Sequence, residues 1–230
     1  MRARIGMLVV ALMAFMFSSA AVPLCADESN RVSESVAVIK ELMAMPEMNV
    51  PPALFKDAAG IAVIPGAMKG GLIVAGRFGT GVMSVRDKSG EWSPPAFISL
   101  GGGSLGWQVG AQSTDFILVF KNRRSVDGIV KGKFTLGVDA SAAAGPVGRT
   151  VTAATDALMK AEIVSYSRSR GLFAGVSMEG AVLHIDADAN AAFYNRKGVK
   201  TDDIFSGKVE SDSREVMQFR ELLKRYVSGS

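Results

Sequence analysis

From Gly60 to Gly180 the chain sets glycine repeatedly inside short apolar runs, as in Gly70-Gly-Leu-Ile-Val-Ala-Gly76, Gly79-Thr-Gly-Val82 and Gly101-Gly-Gly103. No other feature constrains the fold as much. Glycine inside a helix costs about 1 kcal/mol relative to alanine. The 25 glycines follow no fixed period, which excludes collagen, and they lie among apolar residues rather than in a polar linker. In a strand, glycine marks a bulge, a corner or the close approach of another backbone. The expected fold is therefore α+β: a compact antiparallel, barrel-like sheet, strongly bent, with flanking helices.

Helical patterns frame that sheet. Asp27 to Met48 predicts the first helix, because Val32, Val36, Ile39 and Met43 fall on one stripe; Pro46 and Pro51-Pro52 end it. A short helix from Pro52 to Ala59 is expected next, stopped by Gly60. Strands are expected at Ile61–Ile64 (closed by Pro65-Gly66), Leu72–Val85, Ala96–Leu100, Trp107–Gln112, Phe116–Phe120 and Phe134–Ala143. Ser125–Val130 reads as a single helical turn and Thr152–Lys160 as a short helix. Ile163–Ser169 and Leu172–Ile185 read as a hairpin around Arg170-Gly171. Ala187–Tyr194 and Ser213–Val227 are helical, the latter with Asp212 as N-cap, Glu215 three residues on, and a stripe of Val216, Phe219, Leu223 and Tyr226. No linker interrupts residues 27–230, which read as one domain.

The first 26 residues have the pattern of a cleavable export signal. Arg2 and Arg4 precede an apolar run from Ile5 to Phe17, shorter than the roughly 20 residues that span a bilayer. Cleavage is expected after Ala26, with Ala20 or Ala21 as the alternative; Leu24 before Cys25 disfavours a lipoprotein signal. Cys25 is the only cysteine, so the mature chain would hold no thiol, which suits a periplasmic or secreted protein. Losing two arginines lowers the formal charge from +4 to +2. Such a balance does not predict a nucleic-acid partner.

Enzymatic patterns fail on context. Gly101 to Gly106 matches G-x-G-x-x-G, yet Trp107–Gln112 alternates like a strand where a dinucleotide site needs a helix. His184 is the sole histidine and has no triad or zinc partners. Asp186, Asp188 and Asn190 copy the start of a calcium loop, but Ala191 and Lys197 stand where its glycine and glutamate belong. These acids read better as caps for the helix at Ala187. No enzyme, cofactor or metal is expected.

Several phrases occur in the order and spacing of one family. Gly70–Gly76, Gly79–Val82, Trp92-Ser-Pro-Pro-Ala-Phe-Ile98, Gly145-Pro-Val-Gly-Arg149 and Ser165-Tyr-Ser-Arg-Ser-Arg-Gly-Leu-Phe-Ala-Gly175 give the chain, from about Val36 to Tyr194, its resemblance to the SYLF domain. That family includes a yeast actin-patch protein, a mammalian SH3-containing relative and exported bacterial proteins. The resemblance implies phospholipid binding at a membrane surface, helped in eukaryotic members by an amphipathic N-terminal helix. Here the helix carries Glu28, Glu34 and Glu41 against Arg31 and Lys40, so it lacks a cationic face. Export would also separate the chain from actin.

The expected function is thus a non-catalytic phospholipid-binding protein of the bacterial cell envelope, with a structural or protein-interaction module as the alternative. An anionic headgroup needs fixed cations beside accessible amides, and the family blocks supply Lys69, Arg77, Arg149, Arg168 and Arg170, mostly next to glycines. The Lys121, Arg123 and Arg124 group lies on an expected surface loop.

Overall fold

The computed structural model describes residues 24–44, 55–70, 75–104, 112–146, 156–169 and 172–228. Residues 1–23, the expected strand before Gln112, Arg149 and Arg170 lie outside them. The elements in chain order are α1 (Leu24–Met43), β1 (Gly60–Gly70), β2 (Ala75–Val85), β3 (Ala96–Ser104), β4 (Gln112–Phe120), α2 (Arg123–Val130), β5 (Phe134–Thr135), β6 (Ala142–Ala144), α3 (Asp156–Lys160), β7 (Ile163–Ser169), β8 (Leu172–Gly175), β9 (Val182–Ile185), α4 (Ala187–Phe193), α5 (Thr201–Phe205) and α6 (Arg214–Ser228).

All nine strands join one sheet in the order β5-β9-β3-β2-β1-β4-β7-β6, with β8 also on β7. Every pairing is antiparallel except β6 with β7. The sheet must roll. Thr135 and Ala142 sit on opposite edge strands only seven residues apart, which spans at most about 24 Å of chain. Eight strands laid flat would separate those edges by about 34 Å. A bridge between Leu136 and Ala140 ties the two edges together. The α+β, barrel-like expectation is met.

Both faces of the sheet are covered, which is why its strands read as continuous apolar runs. Ile61, Val63, Val82, Phe97, Ile117, Val119, Val164 and Tyr166 pack with α1 and α6. Their neighbours in alternation, among them Ala62, Ile64, Met83, Ile98, Leu118 and Phe120, pack with Val126 and Ile129 of α2 and with Ile204 of α5. The predicted α1 and α6 stripes are buried except for the partly buried Met43 and Tyr226, and Val38 and Leu42 widen the α1 contact. Arg31 pins α1 to Asp186 at 3.4 Å.

Five local readings change. Gly60 opens β1 rather than closing a helix, and β1 continues through Pro65-Gly66 to Gly70. The run Phe134–Ala143 divides into β5 and β6, with the edge-joining turn between them. Leu172–Ile185 divides into β8, beside β7, and β9, beside β3 and β5. The roll makes that crossing short: Gly180 N–H bonds to Leu136 O at 2.9 Å, and Leu136 N–H to Ala181 O at 2.8 Å. Asn122 caps a longer α2 by accepting from Ser125 N–H. The α6 cap is Ser213, whose Oγ accepts from Val216 N–H at 3.2 Å, instead of Asp212.

Candidate binding site

The glycines of β2 have a geometric cause in β1. Against β2, the register changes between Val63↔Val82 and Met68↔Phe78; against β4, between Ile64↔Phe116 and Ala67↔Thr114. Each shift equals one extra residue in β1, a bulge at Pro65-Gly66. Proline has no N–H to give to the ladder there, and Gly66 takes φ +59°. Next to the bulge β2 comes unusually close. A Cβ on Gly79 would stand 2.6 Å from Ile64 Cγ2, and one on Gly81 2.1 Å from the Val63 carbonyl oxygen. Gly79-Thr-Gly81 is the only kind of segment that fits.

The bulge frees a backbone donor, and the sheet answers with a polar band. Gly66 N–H donates to Asp115 Oδ1 at 2.8 Å, and Arg168 Nε donates to Asp115 Oδ2 at 2.6 Å. Arg168 also pairs with Glu41 of α1. Burial pushes the Asp115 carboxyl above its ordinary value, and the Gly66 amide draws it back down. The Arg168 and Asp115 side chains are only 19% and 13% exposed. On the other side of the bulge, Thr80 pairs in register with Ser99, and Ser99 with His184. These three line an open groove of about 480 Å³ with Pro65, Gly66, Gly79, Leu100 and Gly101.

Beyond the bulge the register sets Lys69 opposite Arg77, followed by Gly70 opposite Gly76. Two of the expected cations are therefore cross-strand neighbours at one end of the sheet. Arg168 lies toward the same end, on β7 opposite Asp115, with its guanidinium engaged by two carboxylates. In the Lys121, Arg123 and Arg124 group, Lys121 donates to the Leu158 and Met159 carbonyls, and Arg123 pairs with Asp127.

The model of the Ysc84 family, described as "Las17-binding protein actin regulator", matches residues 101–226. This chain belongs to the Ysc84 family. The resemblance to the SYLF domain, which is the same family, is thereby shown. The yeast (Saccharomyces cerevisiae) Protein YSC84 is 38% identical over 164 residues, covering 70% of this chain and 35% of the relative. The "LAS seventeen-binding protein 3" of the same yeast is 40% identical over 148 residues, 63% of this chain and 32% of its own length. The "SH3 domain-containing YSC84-like protein 1" of Xenopus laevis is 32% identical over 190 residues, 79% and 56% respectively. This Ysc84-family chain thus spans about a third to a half of these relatives.

Other sequence leads have structural employment. Asp186 Oδ1 caps α4 by accepting from Ala189 N–H at 3.0 Å. Asn190 Oδ1 accepts from Phe97 N–H at 2.9 Å in the core. The would-be calcium pattern is therefore a cap and a buried tether. Residues 101–104 continue β3 against β2, so the glycine motif begins inside a strand. Sequence reasoning missed Asp115, Glu41 and the Thr80–Ser99–His184 row. An acid opening the run Asp115-Phe-Ile-Leu-Val-Phe120 was the one available signal.

Proposed function

We propose that this chain is an exported, non-catalytic binding module of the cell envelope that engages an anionic phospholipid at the Lys69–Arg77 end of the sheet. The supporting observation is the register itself: two cations face each other across β1 and β2, and the next pair is Gly70 with Gly76. Glycine adds no Cβ between an approaching phosphate and the backbone amides, and two cationic residues at register partners add charge-assisted hydrogen bonds. In this reading the apolar residues of α1 stay buried against the sheet and α6, so lipid is met by the strand ends rather than by that helix. Export rests on the Arg2–Phe17 pattern.

Co-sedimentation with vesicles containing phosphatidylglycerol tests this reading. Lys69→Gln with Arg77→Gln is expected to weaken binding, while Lys131→Gln with Lys133→Gln, an equal change of charge, does little. Each lost phosphate contact is worth about 1.5–3 kcal/mol if desolvated and far less if exposed. Equal losses in both double variants would mean unspecific charge attraction. No binding by the unmodified chain would favour the second reading, a protein-interaction module, which the names of the Las17-binding relatives support.

A further inference from the structure

The first turns of α1 hold a carboxylate that the fold leaves unanswered. Glu28 is 2% exposed, and its Oε2 has no hydrogen-bond partner. Its other oxygen, Oε1, lies 4.0 Å from Arg31 Nη2, beyond hydrogen-bond reach. That guanidinium is already held by Asp27 at 2.7 Å and by Asp186 at 3.4 Å. Three carboxylates therefore share one cation. An unpaired carboxylate oxygen in a protein interior is costly, so this end of the helix calls for a second positive donor.

The neighbouring elements do not supply one. α1 packs against β1, β2, α4 and α6. Of these, α4 brings another acid, its N-cap Asp186, with His184 and Asp188 exposed on either side of it. No ion pair among the described residues joins the cluster to β1, β2 or α6.

The donor can come from the chain itself. Helical side chains slant toward the N-terminus, so Glu28 is directed at the turn before it, and α1 begins at Leu24. The expected export cleavage falls inside that turn. Hydrolysis of the Ala26–Asp27 peptide bond by the export peptidase adds one water. Ala26 leaves with the carboxylate, and Asp27 keeps the amine, which is protonated below about pH 8. The new ammonium then stands one residue before Glu28, at the positive end of the helix dipole and beside its free N–H groups.

We propose that the α-ammonium created at Asp27 pairs with the buried Glu28 carboxylate, so that export processing completes the docking of α1. This rests on the export part of the reading above and is independent of the lipid site.

The test uses the chain prepared to begin at Asp27 and follows the nitrogen resonance of its α-amino group against pH. An ordinary α-amine titrates at about 7.7–8.0, and a midpoint at least about one unit higher is expected here. Glu28→Gln, or a Gly-Ser-Gly-Ser extension that carries the amine away, is expected to return it to the ordinary range. A raised folded-state value gives stability that is present below the unfolded value and lost as pH rises through the folded one. The Asp27 chain should therefore melt about 2–5 °C above the extended chain at about pH 6, and level with it at about pH 10. An α-amine at its ordinary value in the Asp27 chain, unmoved by Glu28→Gln, would overturn the pairing. Mass spectrometry of the exported protein reads the cleavage separately. A start at Ala21 or Val22 would overturn the processing step even where the Asp27 chain shows the raised amine.

Discussion

Replacing Gly175 with alanine probes the crowding that governs this fold. An ideal Cβ on Gly175 would lie 1.9 Å from the Gly145 carbonyl oxygen and 2.9 Å from the Gly145 nitrogen and carbonyl carbon. A carbon needs about 3.3 Å from such an oxygen, so one backbone must retreat by about 1.4 Å. Gly145 has no room to do so. A Cβ on Gly145 itself would stand 2.1 Å from Tyr166 Cζ, and its N–H is tied to Ser165 O at 3.0 Å. Gly175 is in turn the register partner of Tyr166. Overpacking of this kind costs about 1–3 kcal/mol, and loosening the Gly145–Ser165 bond adds about 1 kcal/mol. The expected loss is about 2–4 kcal/mol out of a total stability of about 5–15 kcal/mol. For a domain of this size that lowers Tm by about 4–15 °C, and Gly175→Val lowers it further. Gly101→Ala is the control: nothing lies within 4 Å of its ideal Cβ, so it should leave stability within about 0.5 kcal/mol or raise it slightly. Thermal and urea melts of both variants decide the matter. A Gly175→Ala melt indistinguishable from wild type would refute the close-approach argument.

Three further outcomes are expected. Arg168→Gln should destabilise by about 2–3 kcal/mol, since it leaves the largely buried Asp115 without its counter-charge, and Asp115→Asn by less, because Glu41 still pairs with Arg168. A double-mutant cycle with a coupling below about 0.5 kcal/mol would show the pair to be incidental. Burial raises all three tyrosine phenols, Tyr226 to about 12 and Tyr166 and Tyr194 higher. Raised values favour the neutral form, so stability is fully present below the unfolded value of about 10 and is lost as pH rises above it. Tyrosinate absorbance should therefore appear together with loss of the circular-dichroism signal, and a phenol titrating near its ordinary value in the intact fold would contradict this. On the proposed export, the mature protein is expected to begin at Asp27 by mass spectrometry; an acylated Cys25 at its start would contradict that cleavage.

The elements that were legible in the sequence carry their own local cause. The α6 stripe is periodic, and Asp186 supplies a side-chain acceptor where α4 begins. α5 lacked such a signal: it has five residues, and its N-cap, Lys200, makes no side-chain bond. Pro65-Gly66 misled because a strand-closing turn and a β-bulge use the same two residues for the same φ requirements. Only the register of two neighbouring strands separates them. The β8–β9 division was hidden for a similar reason, since joining adjacent runs into one hairpin presumes a flat sheet, and this one is rolled.

The same bulge explains how much of the site was readable. Lys69 and Arg77 were picked out for their glycine neighbours, yet their pairing depends on the extra residue in β1. Without it, the ladder that sets Val63 opposite Val82 would put Lys69 opposite Gly76. Arg168 was picked out with Arg170, two residues on, and has no glycine beside it. It differs because Asp115 and Glu41 approach from β4 and α1, elements that no local spacing connects to β7. The bulge therefore acts twice. It makes Lys69 and Arg77 register partners beyond Gly66, and it exposes the Gly66 amide that draws Asp115, and through it Arg168, into the fold. Removing the extra residue by deleting Gly66 should undo both effects at once. It would restore one register along all of β1, relieve the close approach that requires Gly79 and Gly81, and leave Asp115 without its amide donor.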